Sequence, residues 1–244
     1  MFNLFKKKTT LPVKMPLVDM HSHLLPGIDD GAQSIEESVE LIKGMKNMGY
    51  QKLITTPHIM QDFYRNTPEI ILPLLSKIKE IIKQKGIDIE LEVAAEYYLD
   101  ESLYKKVSSG EKLLTFGDNY FLFETSFMNP AKNMEEFCFI AQSNGYKPIL
   151  AHPERYIYMH NSFEKYVQLF ERGVLFQINI NSLTGYYSKQ VKKIAQKLIN
   201  KKMVSFLGTD CHNMRHLEQT EKSIALEYFQ KLTHQGTLLN DSLL

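Results

Sequence analysis

The sequence lacks several features that would mark a specialised class of protein. Its 244 residues include no tryptophan and only two cysteines, Cys138 and Cys211. So few cysteines exclude a disulfide-bonded scaffold and are typical of a reducing compartment. No stretch approaches the run of about 18 apolar residues that a transmembrane helix requires. We therefore expect a cytoplasmic protein without stable membrane insertion.

An excess of charge of either sign is missing as well. Lysine and arginine number 29 against 28 aspartates and glutamates, which gives a net charge of +1. A protein held to nucleic acid by a general basic field would be far more positive, so we expect no nucleic-acid partner. Glycine-rich nucleotide loops of the types G-x-G-x-x-G and G-x-x-x-x-G-K-[ST] are absent too. The compositional feature that remains is a total of eight histidines.

Short apolar runs recur along the chain and alternate with amphipathic stretches. The runs are four to seven residues long, which is typical of buried parallel strands. Helix-start signals lie between them, among them the capping box Ser34–Glu37 and the pair Thr67-Pro68. The seven predicted strands are Leu17–Met20, Lys52–Thr56, Ile89–Ala95, Tyr120–Glu124, Pro148–Ala151, Val174–Ile180 and Val204–Gly208.

Alternating strands and helices predict an α/β fold with a parallel sheet covered by helices. Since no low-complexity linker divides the chain, we expect one domain, residues 16–236. A flexible N-terminal arm, residues 1–15, would precede it, and a C-terminal tail, residues 237–244, would follow it. Periodicity alone leaves two architectures open, a closed β/α barrel and a doubly wound sheet.

The polar residues at the strand ends favour the barrel. Six of the seven predicted strands carry His, Asp or Glu at or just beyond their C-terminal ends, and β/α barrels build their active sites on this face. His21 and His23, two residues apart, point to the same side of the first strand. Converging carboxylates would repel one another unless cations lay among them. We therefore predict a metal site built from His21, His23, Asp30, His58, Glu96, Glu124, His152, Asp210 and His212.

In this series of residues the chain resembles the polymerase and histidinol phosphatase (PHP) family of metal phosphoesterases. Within it the chain is similar to the bacterial manganese-dependent protein-tyrosine phosphatases of capsule and exopolysaccharide systems. The segments that carry the resemblance are HSHLLPGIDDG at 21–31, AHPER at 151–155 and SFLGTDCHN at 205–213. The resemblance covers about residues 17–235.

The resemblance implies a distorted (β/α)7 barrel of the PHP type, with three divalent metal ions at the C-terminal ends of the strands. It also implies that the nine residues named above are the metal ligands. Imidazole and carboxylate ligands without thiolate suit manganese, iron or zinc better than magnesium or calcium. Manganese is the metal that the resemblance favours.

The charge of such a site narrows the reaction. Three divalent ions facing four carboxylates leave two positive charges, which suit a phosphate-monoester dianion. Water whose pKa is lowered towards about 7 would supply hydroxide for attack on phosphorus. Arg155 could hold phosphate oxygens with its planar fork. Arg215 is a second candidate, with a solvated helix start as the alternative, and a protonated His58 could stabilise the departing oxygen.

A cysteine-based phosphatase is the natural rival, and the sequence argues against it. That chemistry needs an arginine six positions after the nucleophile. The sixth residue is Asn144 after Cys138 and Leu217 after Cys211.

The substrate is predicted mainly from the resemblance, which implies phosphotyrosine in the tail of a bacterial tyrosine kinase of polysaccharide export. Two alternatives remain open, a small-molecule phosphatase such as a histidinol-phosphate phosphatase and a catalytically silent metal-binding module. No particular oligomeric state is predicted. Aromatic residues beside the ligands could flank a phosphotyrosyl ring or simply pack beneath loops; they are Phe63, Tyr64, Tyr97, Tyr98, Phe127, Tyr156 and Tyr158.

Overall fold

The computed structural model describes residues 14–244. The predicted N-terminal arm therefore lies outside the described residues, apart from Lys14 and Met15. Every pairing between the strands is parallel. Nine short strands form within the described range: β1 (Val18–Asp19), β2 (Lys52–Thr55), β3 (His58–Ile59), β4 (Glu90–Val93), β5 (Glu96–Tyr98), β6 (Tyr120–Glu124), β7 (Lys147–Ala151), β8 (Leu175–Asn179) and β9 (Phe206–Gly208).

Nine strands fill seven positions because two positions are each broken in the middle. Thr56 and Pro57 separate β2 from β3, and two alanines separate β4 from β5. Proline cannot donate a ladder hydrogen bond, which accounts for the first break. The hydrogen-bonded orders are β1-β2-β4 and β3-β5-β6-β7-β8-β9. These breaks make the barrel distorted, and they place His58 directly beside Glu96 in the register of β3 and β5.

The last strand returns to the first at the C-terminal end of the barrel. A parallel bridge joins Ser22 to Cys211, just beyond β1 and β9. The backbone N–H of Asp210 donates to the carbonyl of His21 at 2.8 Å, and the N–H of His23 donates to the carbonyl of Cys211 at 2.9 Å. The predicted parallel α/β barrel of seven strand positions is thus confirmed.

The described part of the chain has eight α-helices, of which six connect successive strand positions and the last two follow the final strand. The predicted helix starts are confirmed, since Ser34 Oγ accepts the N–H of Glu37 at 3.2 Å and Pro68 is the first residue of its helix. No helix among the described residues is both long and apolar enough to cross a membrane. The helices are α1 (Ile35–Asn47), α2 (Pro68–Gln84), α3 (Glu101–Ser108), α4 (Met134–Ser143), α5 (Glu164–Glu171), α6 (Lys189–Asn200), α7 (Met214–Ile224) and α8 (Glu227–His234).

Alternation along the strands divides the core into an inner and an outer layer. In β6, Phe121 and Phe123 pack in the large cluster formed with the helices, whereas Leu122 belongs to a separate cluster with residues of the other strands. Side chains two apart on a strand share a face, so Glu124 follows Leu122 into the interior. The barrel thus has an apolar floor and presents polar side chains above it.

The C-terminal residues 237–244 lie against the floor of the barrel. They include a 3-10 helix, Asn240–Leu243, in which Leu243 is buried in the same apolar cluster as Leu122. The amide of Asn240 donates to the carbonyls of Val18 and Leu207 at 3.0 and 2.7 Å. This segment therefore links the first and last strands on the face opposite the predicted site.

Candidate metal centre

All nine predicted ligands converge at the C-terminal ends of the strands. They fall into four groups in which nitrogen and oxygen atoms lie within 4.8 Å of one another, as a metal ion would require. The groups are His23, Asp30, His58 and His212; His21, His23 and Glu96; His21, His152 and Asp210; and His58, Glu96 and Glu124.

Four of these side chains form what we call the inner group: His21, His23, Glu96 and Asp210. Glu96 Oε2 lies 3.3 Å from His21 Nε2 and 3.4 Å from His23 Nε2. Asp210 Oδ1 lies 3.4 and 3.5 Å from the same two nitrogens, which are themselves 3.3 Å apart. All four side chains are buried.

The spacing of the inner group fits a metal ion. Corners that lie about 2.1 Å from the centre of a tetrahedron are about 3.4 Å from one another, for zinc-type bond lengths. Glu96 Oε2 is also buried without a hydrogen-bond partner among the described residues. A buried carboxylate oxygen without a donor is costly, so the residues present suit a cation at this point.

Asp30, His58 and His212 form a second set, which we call the outer group. Asp30 Oδ1 lies 3.4 Å from His58 Nε2 and 3.4 Å from His212 Nε2. The Asp30 side chain is 55% exposed, whereas those of His58 and His212 are 12% and 13% exposed. The outer group therefore faces the opening of the site.

Glu124 and His152 complete the site beside Glu96. His152 Nε2 lies 2.9 Å from Glu96 Oε1 and 3.9 Å from Glu124 Oε2. His58 Nδ1 lies 3.3 Å from Glu124 Oε1, so the two ring nitrogens of His58 face different carboxylates. A neutral imidazole offers a lone pair on one nitrogen only, and His58 can therefore join one group as a neutral ligand.

The charges of the cluster depend on one another. Burial alone would raise the pKa of Asp210, but the imidazoles of His21 and His212 outweigh it and hold that pKa well below its usual range. Burial would lower the pKa of His58, yet Glu96 and the other facing carboxylates raise it to about 10. Without cations the facing carboxylates therefore favour the protonated form of His58. A divalent metal would replace such protons.

Two of the predicted ligands have strained backbones. His152 has φ 33° and Asp210 has φ 50°, which lie in the left-handed region that non-glycine residues rarely occupy. Such strain costs about 1–3 kcal/mol and persists where surrounding structure imposes it. His152 directly follows the end of β7, and Asp210 lies two residues beyond the end of β9. The turn at each point directs the side chain back over the barrel.

The loop after β1 contains a functional residue that the sequence did not reveal, Asp29. Its Oδ2 accepts from His23 Nδ1 at 2.9 Å and from the backbone N–H of His58 at 3.1 Å. Asp29 is buried, in contrast to its exposed neighbour Asp30. Of two adjacent aspartates, one therefore orients a histidine and the other faces the opening.

The sixth strand position, β8, also contributes, although it ends in no His, Asp or Glu. Two buried amides of β8, Gln177 and Asn179, project among the ligands. Gln177 Oε1 lies 2.8 Å from His21 Nδ1, and Asn179 Nδ2 lies 2.6 Å from Asp210 Oδ2. The signal in the sequence was the alternation of two amides with apolar residues in a buried strand.

Arg155 lies in the wall of the site as predicted from its position after β7. Its guanidinium donates to Asp210 Oδ2 at 3.1 Å. The rings of Phe127 and Tyr187 lie 4.3 and 4.4 Å from the guanidinium carbon, on which both stack. These contacts hold a planar cation at the edge of the metal-ligating cluster.

Arg215 lies elsewhere. It is exposed, its guanidinium lies 5.5 Å from the centre of the Tyr186 ring, and it does not line the cavity above the ligands. His216, the next residue, does line that cavity, and its Nδ1 lies 2.9 Å from the carbonyl oxygen of Asp210. The catalytic role predicted for Arg215 stays a prediction.

The cavity has a volume of about 340 Å3 and includes aromatic walls. Phe127 and Tyr187 line it, and Tyr64 stacks on His58 with ring centroids 5.3 Å apart. Of the other aromatic residues considered from the sequence, Tyr97 and Tyr156 are buried in the core. Fewer aromatic residues thus contribute to the site than the sequence suggested. Tyr187 does contribute, although it was not among the aromatic residues considered from the sequence.

Neither cysteine has the properties of a nucleophile. Cys138 and Cys211 are both buried and unbonded. Burial raises the pKa of the Cys138 thiol to about 12 and raises that of Cys211 still further. Since the thiolate is the nucleophile, these residues do not support cysteine chemistry.

The fold and the donor set define the class of β/α-barrel proteins that gather metal ligands at the carboxyl ends of their strands. The sequence matches the family model described as capsular polysaccharide synthesis, CpsB/CapC, over residues 17–237. The chain belongs to the CpsB/CapC family. The resemblance stated from the sequence is thereby confirmed.

The relatives of this chain include proteins named tyrosine phosphatases. The chain is 26% identical over 231 residues to the tyrosine-protein phosphatase YwqE of Bacillus subtilis (strain 168), an alignment that covers 91% of each protein. It also matches a crystal structure from work on YwqE and on CpsB from Streptococcus pneumoniae, described as metal-dependent tyrosine phosphatases. That match has a TM-score of 0.80 at 26% identity and covers 89% of this chain and 90% of the other.

A more distant structure shares the fold alone. The histidinol phosphate phosphatase of Lactococcus lactis subsp. lactis Il1403 matches with a TM-score of 0.52 at 12% identity, covering 86% of this chain and 93% of that one.

Proposed function

We propose that this protein is a metal-dependent protein-tyrosine phosphatase that holds three divalent ions, manganese first among them. The observation that carries the proposal is the convergence of the nine histidine and carboxylate side chains in one cavity with Arg155 in its wall. Membership of the CpsB/CapC family and similarity to YwqE support the same activity.

The charge of the cavity suits a phosphate monoester. Four carboxylates, Asp30, Glu96, Glu124 and Asp210, face the metal positions. Three divalent ions would leave two positive charges there, and the guanidinium of Arg155 adds a third. When bound, the metals supply an activated water and neutralise charge on the phosphoryl group.

Arg155 orients the phosphate. Its guanidinium is held between Phe127 and Tyr187 and is anchored by Asp210 Oδ2. A planar fork fixed in this way donates to phosphate oxygens without first losing rotamer freedom. It stabilises the charge that builds on those oxygens in the transition state.

His58 was predicted both as a metal ligand and as a proton-carrying group that stabilises the departing oxygen. One nitrogen cannot serve both roles, because a nitrogen that binds a metal cannot also carry the proton. Both ring nitrogens of His58 face carboxylates of the site. We therefore propose His58 as a ligand. A phenolate leaving group depends less on a proton donor than an alkoxide does, since the unperturbed pKa of tyrosine is about 10.

Aromatic walls favour a phosphotyrosyl substrate. Phe127 and Tyr187 line the cavity, and Tyr64 stacks on His58, which lines it as well. A phenyl ring that enters the cavity can stack on these side chains, whereas a phosphoseryl side chain is too short to do so. The proposed partner is the tyrosine-phosphorylated tail of a bacterial tyrosine kinase of polysaccharide export, in the cytoplasm.

The proposal assigns the catalytic unit to residues 16–236, with residues 1–15 as an arm and 237–244 as a C-terminal tail. The family match over residues 17–237 supports this division.

A phosphate-release panel paired with metal analysis tests the proposed function. We expect release from a phosphotyrosyl peptide at a kcat/KM at least about tenfold above that for a matched phosphoseryl peptide or histidinol phosphate, a difference of about 1.4 kcal/mol. Chelation should abolish release and added manganese should restore it. Full activity in verified metal-free protein would exclude the mechanism. A preference for histidinol phosphate would favour the small-molecule alternative.

A further inference from the structure

The hydrogen bonds of β8 form a continuous line between two predicted ligands that belong to different strands. Gln177 Nε2 donates to Asn179 Oδ1 at 2.9 Å, and Asn179 Nδ2 donates to Asp210 Oδ2 at 2.6 Å. At the other end, Gln177 Oε1 lies 2.8 Å from His21 Nδ1. Gln177, Asn179 and His21 are all fully buried, and Asp210 is nearly so.

The direction of this line is fixed at its Asp210 end. Arg155 donates to Asp210 Oδ2 at 3.1 Å, and a carboxylate oxygen paired with a guanidinium accepts hydrogen bonds and donates none. The Asn179 atom that faces Asp210 must therefore be the amide nitrogen. The oxygen of Asn179 then faces Gln177, which must present its own nitrogen to it.

The direction is fixed independently at the Gln177 end. The backbone N–H of His152, which can only donate, lies 3.3 Å from Gln177 Oε1. The same oxygen faces His21 Nδ1, and an oxygen without a hydrogen requires a donor there. His21 therefore carries a proton on Nδ1, so that Nε2, which faces Glu96 and Asp210, is the nitrogen left to bind a metal.

Gly208 provides the space for this arrangement. A Cβ atom added at Gly208 would lie 2.8 Å from Gln177 Nε2 and 2.8 Å from the Cβ of His21. Gly208 does not have the positive φ that would demand glycine for the backbone. Its lack of a side chain is needed because the amide of Gln177 and the ring of His21 pass beside it.

We propose that Gln177 and Asn179 are positioning residues that set the tautomer of His21 and the orientation of Asp210 for metal binding. The inference rests on the proposed function. Asn179 and Arg155 together occupy Asp210 Oδ2, so that Oδ1 alone faces the cluster. Partners of this kind orient ligands in metal sites, and their loss typically lowers metal affinity about 10–100-fold.

The test is a titration of metal-depleted protein with Mn2+ and with Zn2+, for which dissociation constants are measured directly. Gln177→Met keeps the shape of the side chain and removes its hydrogen bonds. We expect it to weaken the tightest site about 10–100-fold, as loss of a ligand's partner does. Asn179→Leu and Gly208→Ala should weaken binding in the same direction, and the activity of Gln177→Met should recover as the manganese concentration is raised.

Asn181→Leu is the matched control. Asn181 is also a buried amide next to β8, but its hydrogen bonds go to His216 and Thr220 rather than to a predicted ligand. We expect its metal affinity to stay within about threefold of the parent, because it orients no ligand. An equal loss of affinity in Asn181→Leu and Gln177→Met would assign the effect to general destabilisation and overturn the proposal.

A second measurement needs no variant of β8. This measurement is an NMR spectrum of zinc-loaded parent protein with 15N-labelled histidine, in which the signals that disappear in His21→Gln are assigned to His21. We expect these signals to be those of an imidazole with its proton on Nδ1. An Nε2–H tautomer would overturn the proposal even if Gln177→Met failed to fold. A parent protein that bound no metal would refute the proposed function together with this role. Equal binding by the parent and Gln177→Met would refute the role alone.

Discussion

The inner and outer groups are built from the same kinds of side chain but are held in different ways. The four inner side chains are at most 2% exposed, and each imidazole has a buried partner on its other nitrogen, Gln177 for His21 and Asp29 for His23. In the outer group Asp30 is 55% exposed. His58 stacks on Tyr64, and its Nδ1 faces Glu96 and Glu124, which are themselves predicted ligands. One site thus combines buried, hydrogen-bonded ligands with an exposed ligand at its opening.

This contrast has a functional consequence. Buried, hydrogen-bonded ligands pay little ordering cost when a metal arrives, whereas an exposed aspartate must be ordered at that moment. We therefore expect the inner position to keep its metal and the outer position to exchange it, close to where substrate enters.

The largest effect is expected from Glu96→Gln, because Glu96 Oε2 faces three imidazoles and has no other partner among the described residues. Loss of this charge should lower kcat/KM on a phosphotyrosyl peptide about 1,000-fold or more, since metal charge stabilisation is worth several kcal/mol. Bound metal, measured on the same sample, should fall as well. Glu90→Gln, a change on the same chain segment at an exposed carboxylate that pairs with the buried Lys52, is the control and should keep full activity. An activity within tenfold of the parent would remove Glu96 from the centre of the site.

Asp30→Asn should have the next largest effect, about 100-fold on kcat/KM, comparable with removal of one preorganised charge contact. The amide keeps the size of the side chain and removes the charge that faces His58 and His212. Metal analysis should find the loss of the outer ion alone. Asp88→Asn, an exposed aspartate before β4, is the matched control. Loss of all bound metal in Asp30→Asn would contradict the division into two groups.

Asp29→Asn should act on the inner group through His23. The carboxylate that accepts from His23 Nδ1 makes the ring a stronger ligand, and an amide there should lower metal affinity about tenfold. Titration of metal-depleted protein with Mn2+ measures this directly. If Asp29→Asn bound metal as tightly as the parent, Asp29 would not be needed to orient His23. A loss of metal in Asp30→Asn would then support the role of Asp30 alone.

The smallest effect is expected from Tyr64→Leu at the mouth. The stacked pair with His58 and a stacked substrate ring are each worth about 0.5–1.5 kcal/mol, so KM for a phosphotyrosyl peptide should rise several-fold while kcat changes little. Phe63→Leu alters the neighbouring, largely exposed ring and should leave both constants unchanged. A fall in kcat without a change in KM would mean that Tyr64 orients His58 rather than the substrate.

The sequence predicted the nine convergent residues because their positions follow from local rules. Strand ends can be recognised from apolar runs, and parallel strands bring their carboxyl ends to one face. His21 and His23 share a side because they lie two apart. The different orientations of Asp29 and Asp30 could not be predicted in this way, because a turn decides which of two adjacent side chains points inward.

The roles of Gln177 and Arg215 also lay beyond the sequence. Gln177 meets His21 across 156 positions of the chain, and only barrel closure brings β8 and β1 close enough for that contact. Arg215 stands three residues after His212, as Arg155 does after His152, yet Arg215 is exposed on α7 while Arg155 is held by two aromatic rings. Equal spacing in sequence gave different positions because the two strand ends lead into different turns.

The order of strands and helices, the parallel α/β architecture and the chemical nature of the site can be predicted from the sequence, since they depend on local periodicity and on residue types. The tertiary structure is needed to see which ligands are buried and which are open. It also decided which nitrogen of His21 can face a metal. Those properties depend on hydrogen bonds between distant strands, whose distances are fixed only when the barrel closes.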